Sequence, residues 1–320
     1  MKKLLLLFAA IMMASTGLWA QTKNVTYRYP VYYTEGDAAS GIKEWKNAIA
    51  NATLVNNSSE STVVLGDTDT ETWYAVTERK LVWCEEFDGD GEVDRSKWGF
   101  EHGFVRNKEY QWYQEDNARM KDGVLVIEAR YDSTAQHAIT SSSINTRGKY
   151  EFLYGQMEVR AKIPAVMGSW PAIWTLGSGM EWPSCGEIDV MEYYQIDGVP
   201  HILANAAWGN DRKWGAVWNS KKIPFSHFLE KDADWADKFH VWLMDWTEDY
   251  LRIYLDGELL NDIDLKKTIN GRIGRYMNPF HSPQYILLNL AIGGTNGGEP
   301  LLEKFPLRYE IDYVRVYAPK

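Results

Sequence analysis

From Leu81 to the C terminus the apolar residues come in short runs separated by turn residues. Residues 156–163 alternate, with Met157, Val159, Ala161 and Ile163 on one face, the period-two pattern of a half-buried strand. Residues 124–129 form a β-prone run after the turn Asp122–Gly123. Residues 239–246 and 250–255 read as two strands joined by a short polar turn, and 311–317 as a closing strand. Residues 285–292 are apolar almost without interruption, which fits a strand buried on both faces. No long helical periodicity, internal repeat or low-complexity tract intervenes. The pattern predicts an all-β sandwich of two large antiparallel sheets.

The N-terminal quarter differs. Residues 21–80 are rich in Asn, Ser, Thr and Ala. Ile42, Trp45 and Ile49 at helical spacing predict a short amphipathic helix near 42–50, and 61–65 and 73–76 read as short strands. The domain reading is an extension of unassigned role over 21–80 and a main domain over 81–320. Ahead of both, Lys2 and Lys3 precede an apolar stretch over 4–13, and Ala20 is the expected last residue before cleavage. That stretch is too short to span a bilayer and reads as a signal peptide over 1–20. With no Cys after it to carry a lipid, the expectation is a secreted or periplasmic protein without a transmembrane segment. Asn24 and Asn51 open glycosylation sequons, relevant only in a host that uses them.

Composition narrows the partners. The 320 residues carry a formal net charge of -10, so phosphate backbones and anionic lipid would be repelled. Fifteen Trp and 19 Tyr serve either as core filling or as flat apolar faces on which sugar rings stack. Cys84 and Cys185 are the two cysteines; an oxidising compartment permits a bridge between them, and the sequence does not decide it. His201, His227 and His240 are scattered and read as hydrogen-bonded structural residues. Gly293–Gly294 with Gly297–Gly298 lacks the Lys-Ser/Thr and following helix of a phosphate loop.

The chemistry concentrates in Gly186-Glu187-Ile188-Asp189-Val190-Met191-Glu192. On a strand Glu187 and Asp189 share a face, but strict alternation puts Met191, not Glu192, beside them. A one-residue bulge near Val190–Met191 would turn Glu192 onto the acidic face. Three converging acids repel one another and cost desolvation. Read alone, they are a solvated acidic edge, a cation site or the paired carboxylates of a glycosidase, which in a retaining enzyme sit about 5–5.5 Å apart.

This segment, G-E-I-D-V-M-E, resembles the active-site signature of glycoside hydrolase family 16. S-W-P-A-I-W-T-L-G and W-P-S-C precede it, and L-V-W-C-E-E-F-D-G at 81–89 agrees. So do N-T-R-G-K-Y-E-F-L-Y-G-Q-M-E-V-R-A-K-I-P at 145–164, L-N-L-A-I-G-G at 288–294 and D-Y-V-R-V-Y at 312–317. The resemblance covers about 81–320 and points to the laminarinase-like branch, the endo-β-1,3-glucanases. It implies a β-jelly-roll with a concave substrate cleft that binds a polysaccharide or oligosaccharide and needs no catalytic cofactor; a monomer is the separate expectation for assembly, which the sequence itself does not reveal. It implies Glu187 as nucleophile, Asp189 as assisting acid and Glu192 as general acid/base. It places Trp182, Trp170, Asn107, Glu109 and Trp208 at the substrate, and a structural calcium at Glu86, the Gly123 carbonyl and Asp312. Three positions depart from the family: Ala207 stands where many laminarinases have His, Ser143 where an Arg is frequent, and Lys108, not an acid, directly follows Asn107. An endo-β-galactosidase acting on O-glycan or algal galactan chains is the alternative within this chemistry, and a non-catalytic lectin the alternative outside it.

Overall fold

The computed structural model describes the strands Val25–Thr26, Thr53–Asn57, Glu60–Gly66 and Trp73–Thr77 and residues 79–319, with side chains from Lys80 onward. The expected helix near 42–50, the signal segment 1–20 and the sequon residues Asn24 and Asn51 lie outside the described residues. The chain divides into two units near Val82. In the first, Thr53–Asn57, Glu60–Gly66 and Trp73–Thr77 form a three-stranded antiparallel sheet, which includes both strands expected there.

The second unit, Trp83–Pro319, is the expected sandwich. One sheet runs in the order Ala216–Pro224, Val199–Gly209, Glu187–Ile196, Ser169–Gly177, Gln284–Ile292, Ser143–Asn145 and Gly99–Phe100, antiparallel throughout. The facing sheet orders Glu258–Asp264, Tyr250–Leu255, His240–Trp246, Gly155–Lys162, Leu307–Tyr317, Val124–Tyr131, Ile139–Ser141 and Trp112–Tyr113. Only its last pair is parallel. Met157, Val159 and Ala161 from one sheet meet Ile173, Ile188, Val190, Leu288 and Leu290 from the other in a single buried cluster. All nine residues of Gln284–Ile292 are buried, because this central strand has the core on one face and a second, smaller apolar cluster on the other. That second cluster is Ala172, Trp174, Tyr285 and Leu287, and it floors the outer face on which the acids stand. Among the described residues no helix is long and apolar enough to cross a membrane.

Candidate active site

The acids are placed by a counting irregularity. Opposite Val199–Gly209, Glu187 pairs with Ala207, Asp189 with Asn205 and Glu192 with Leu203, so two residues, Val190 and Met191, stand against one. Against Ser169–Gly177, Met191 pairs with Ile173 and Asp189 with Trp174, leaving Val190 as the extra residue. This is the bulge expected at Val190–Met191. Val190 and Met191 both enter the core, and Glu192 returns to the face of Glu187 and Asp189. At the head of the strand Gly186 has φ +80°, and a Cβ there would lie 2.9 Å from Pro279 Cβ; only glycine meets both conditions without strain.

Each carboxyl has specific partners. Trp182 Nε1 donates to Glu187 Oε2 at 2.8 Å. Trp170 Nε1 donates to Glu192 Oε1 at 2.8 Å, and Asn205 Nδ2 to Glu192 Oε2 at 2.8 Å. Asp189, 2% exposed, hydrogen-bonds with Glu187 and Asn205. Burial, then the charges of Glu187 and Glu192, raise the Asp189 carboxyl well above the usual range. Its contact with Glu187 raises Asp189 further and lowers Glu187 in return.

Glu187 and Glu192 line the cleft floor half-buried, and burial pushes both up to about 7. Their surroundings differ in sign. Glu187 sees stabilisers of its anion: the Trp182 N–H, the Arg106 guanidinium and the Asp189 O–H. Glu192 is held down by the N–H groups of Trp170 and Asn205 but pushed up by the charges of Glu187 and Glu109. Both carboxyls are raised alike; the anion-stabilising company of Glu187 suits a nucleophile, and the negative neighbours of Glu192 suit an acid.

A hydrogen-bond chain runs beside them. Trp174 Nε1 donates to Asn289 Oδ1 at 2.7 Å, Asn289 Nδ2 to the Tyr113 hydroxyl at 3.2 Å, and that hydroxyl to Glu109 Oε2 at 3.3 Å. Glu109 also accepts from Gln111 Nε2 at 2.7 Å and Asn107 Nδ2 at 3.2 Å. Gly293 and Gly294 let this loop dock: Tyr110 N–H reaches Ile292 O at 2.8 Å and Thr295 N–H reaches Asn107 O at 2.9 Å. A Cβ at Gly294 would meet Asn107 O at 2.8 Å. The paired glycines thus serve loop packing, in keeping with the weak case for a phosphate loop.

The structure gathers Glu187, Asp189, Glu192, Trp182, Trp170 and the Asn107–Glu109 pair around one cleft, with three corrections. Trp208 is not at the substrate: alternation along Val199–Gly209 gives the outer face to Ala207, and Trp208 turns into the core against Phe280. Trp170 is 6% exposed and acts through its N–H on Glu192, so its ring offers little face to a sugar. The calcium donors do not fit a cation. Arg315 takes both Glu86 oxygens, at 2.8 and 2.6 Å, and Arg160 takes Asp312. Among the described residues no group of three or more His, Cys, Asp or Glu side chains is arranged for a metal. Cys84 and Cys185 are free thiols. His201, His227 and His240 are each hydrogen-bonded structurally, to Val199 O, Glu258 and Asp256 respectively.

Arg106 escaped the sequence reading. It pairs with Glu101, lies 5.0 Å over the Trp174 ring, and lowers the pKa of both Glu187 and Glu109. Ser143 Oγ donates to the same Glu101 at 2.7 Å. Ser143, Glu101 and Arg106 thus meet although they lie on different elements.

Comparison with known proteins agrees with this geometry. The model of "Glycosyl hydrolases family 16" matches residues 106–315. A beta-glucanase of Rhodothermus marinus is 34% identical over 257 residues, 74% of this chain and 85% of that protein. The laminarinase catalytic domain of Thermotoga maritima superposes with a TM-score of 0.64 at 33% identity, over 76% of this chain and 99% of that one. A structure from work on endo-acting O-glycanases that human gut bacteria express to initiate mucin breakdown superposes at 0.65 with 31% identity, over 76% and 91% of the two chains.

Proposed function

Because the chain belongs to glycosyl hydrolase family 16 and hydrolyses O-glycosyl bonds, we propose that it cuts internal linkages of β-1,3-glucan by double displacement. The observation that carries the mechanism is the bulge, which puts two carboxyls of opposite electrostatic surroundings on one cleft floor. The similarity to the Rhodothermus beta-glucanase and the Thermotoga laminarinase supports the substrate.

In this reading Glu187, held anionic by Trp182, Arg106 and the Asp189 proton, attacks the anomeric carbon. Glu192 gives its proton to the departing glycosidic oxygen. Loss of the aglycone removes the proton from Glu192, which then takes one from water as that water displaces Glu187. Asp189 keeps its proton on Glu187 during charge build-up and release, so it positions rather than attacks. Glu109, Asn107 and Trp182 border the bound sugars. Residues 1–20 deliver the enzyme across the membrane to the periplasm or medium, where polymers too large to enter the cell are met.

The test is reducing-end release from laminarin, mixed-linkage glucan, and a galactose-containing O-glycan chain, with the anomer of the first product followed by NMR. Laminarin should be cut fastest and give β-products first. A preference for the galactose chain would replace the substrate, and α-products would sink the double displacement. Glu192→Ala should lose about 10²- to 10⁴-fold on laminarin. On a substrate with an activated leaving group, azide should restore it, because azide needs no base at the second displacement.

A further inference from the structure

Trp182 also lines a cavity of about 270 Å³, together with the rest of the segment 179–184, Arg212, Lys213 and Trp214, and Ile273 and Arg275. Three exposed cations converge here on a chain whose net charge is -10. Among the described residues no salt bridge engages Arg212, Lys213 or Arg275. Two acids stand close by: Glu181 lines the cavity, and Asp211 Oδ1 accepts from the Arg272 backbone N–H at 2.7 Å.

The rim is built rather than loose. Asn270 ties three segments, donating to Ser184 O at 2.9 Å and accepting from the Gly209 N–H at 2.6 Å, while Gly271 N–H reaches Gly209 O at 2.8 Å. Trp214 and Arg275 are held at φ 62° and 57°, a conformation that non-glycine residues occupy at a cost and that collects at functional sites. Trp214 is 56% exposed, with Lys213 Nζ 5.1 Å over its ring. An aromatic face suits the apolar C–H face of a sugar. Guanidinium forks suit an oxyanion. The wall shared with the cavity is Trp182, the residue that donates to Glu187.

We propose that this cavity is a subsite for an anionic substituent, a sulfate ester or a carboxylate, carried by a sugar of the bound chain. It rests on the endo-glycanase reading and extends it: neutral chains thread past the cavity, and chains bearing the anion are gripped there.

The experiment compares kcat/KM of the full chain on laminarin, on partially sulfated laminarin and on carboxymethylated laminarin, at low and high salt, for wild type and Arg212→Gln/Arg275→Gln. At low salt wild type should favour a modified chain, through KM. The double variant should lose that preference by about tenfold or more, since charge-assisted hydrogen bonds are removed, while laminarin turnover stays within about twofold. A gain confined to the sulfated or to the carboxymethylated chain names the oxyanion. An unchanged preference in the double variant, or an equal loss on all three chains, overturns the subsite. Failure of wild type on laminarin itself would count against the glucanase reading instead. In that case affinity electrophoresis of Glu187→Gln through the same polymers decides the subsite. Retardation by an anionic polymer that Arg212→Gln/Arg275→Gln abolishes supports it, and equal mobility overturns it.

Discussion

At the scale of single residues, the site works by unequal company around two like groups. Glu187 and Glu192 both sit near 7, and what separates them is a cation on one side and an anion on the other. Replacing Arg106 by Gln removes a stabiliser of the Glu187 anion, so Glu187 ionises later and the acid limb of kcat/KM should move to higher pH. Replacing Glu109 by Gln removes a neighbour that favours protonated Glu192, so the basic limb should move to lower pH. Opposite displacements of opposite limbs are the expected outcome; two variants that lower the maximum without moving either limb would make both residues merely structural. Trp182→Ala should cost about 1–3 kcal/mol in transition-state binding, read as kcat/KM, since it removes both a ring face and an N–H on the nucleophile. Trp182→Phe keeps a ring and loses the N–H. If that variant recovered full activity, the hydrogen bond to Glu187 would be incidental.

At the scale of elements, the strand Glu187–Ile196 depends on the conformation that launches it. Gly186→Ala places a Cβ at φ +80° against Pro279 and should destabilise by about 1–3 kcal/mol, measured by denaturant midpoint, with activity falling further than stability. The legibility of the chain follows the same logic of local against distant information. Runs such as 156–163 and 285–292 announced their strands because burial on one or both faces leaves a period in the sequence itself. The bulge could be inferred because three acids in one strand made sense only with one residue too many. Strand Ala216–Pro224 left no such trace: it is an edge strand whose residues are half-buried or exposed, so no apolar rhythm marks it. Trp208 was misplaced because its motif position was read without the alternation that turns it inward. Arg106 and Asn205 stayed hidden because their importance comes from partners far along the chain.

At the scale of the whole molecule, the site is a charge that folding must bury. Asp189, Glu187 and Glu192 all have raised folded pKa values, so between the unfolded carboxyl range and about 7 the native state holds more protons than the unfolded one. Stability from these groups is therefore greatest below that window and falls as pH rises through it. Glu187→Gln should remove part of the penalty. Its melting temperature should exceed that of wild type at pH 8 and approach it near pH 4. Equal melting temperatures at both pH values would show that the carboxyls carry no strain into the fold.

The extra residue at Val190–Met191 also says what kind of genetic change this enzyme can survive. Most core positions on the strand accept a different apolar side chain at modest cost. A deletion of Met191 alone removes the extra residue and leaves strict alternation with Glu187, Asp189 and Glu192 still on one face, at the cost of one core side chain; a deletion of both Val190 and Met191 puts Glu192 next after Asp189, sends it inward and exchanges a catalyst for a buried charge. The active site is in this sense written in the count of residues along the strand as much as in their identity, and lineages that drift freely by substitution should be closed to the loss of both codons between Asp189 and Glu192 while the loss of one keeps the acids on a common face.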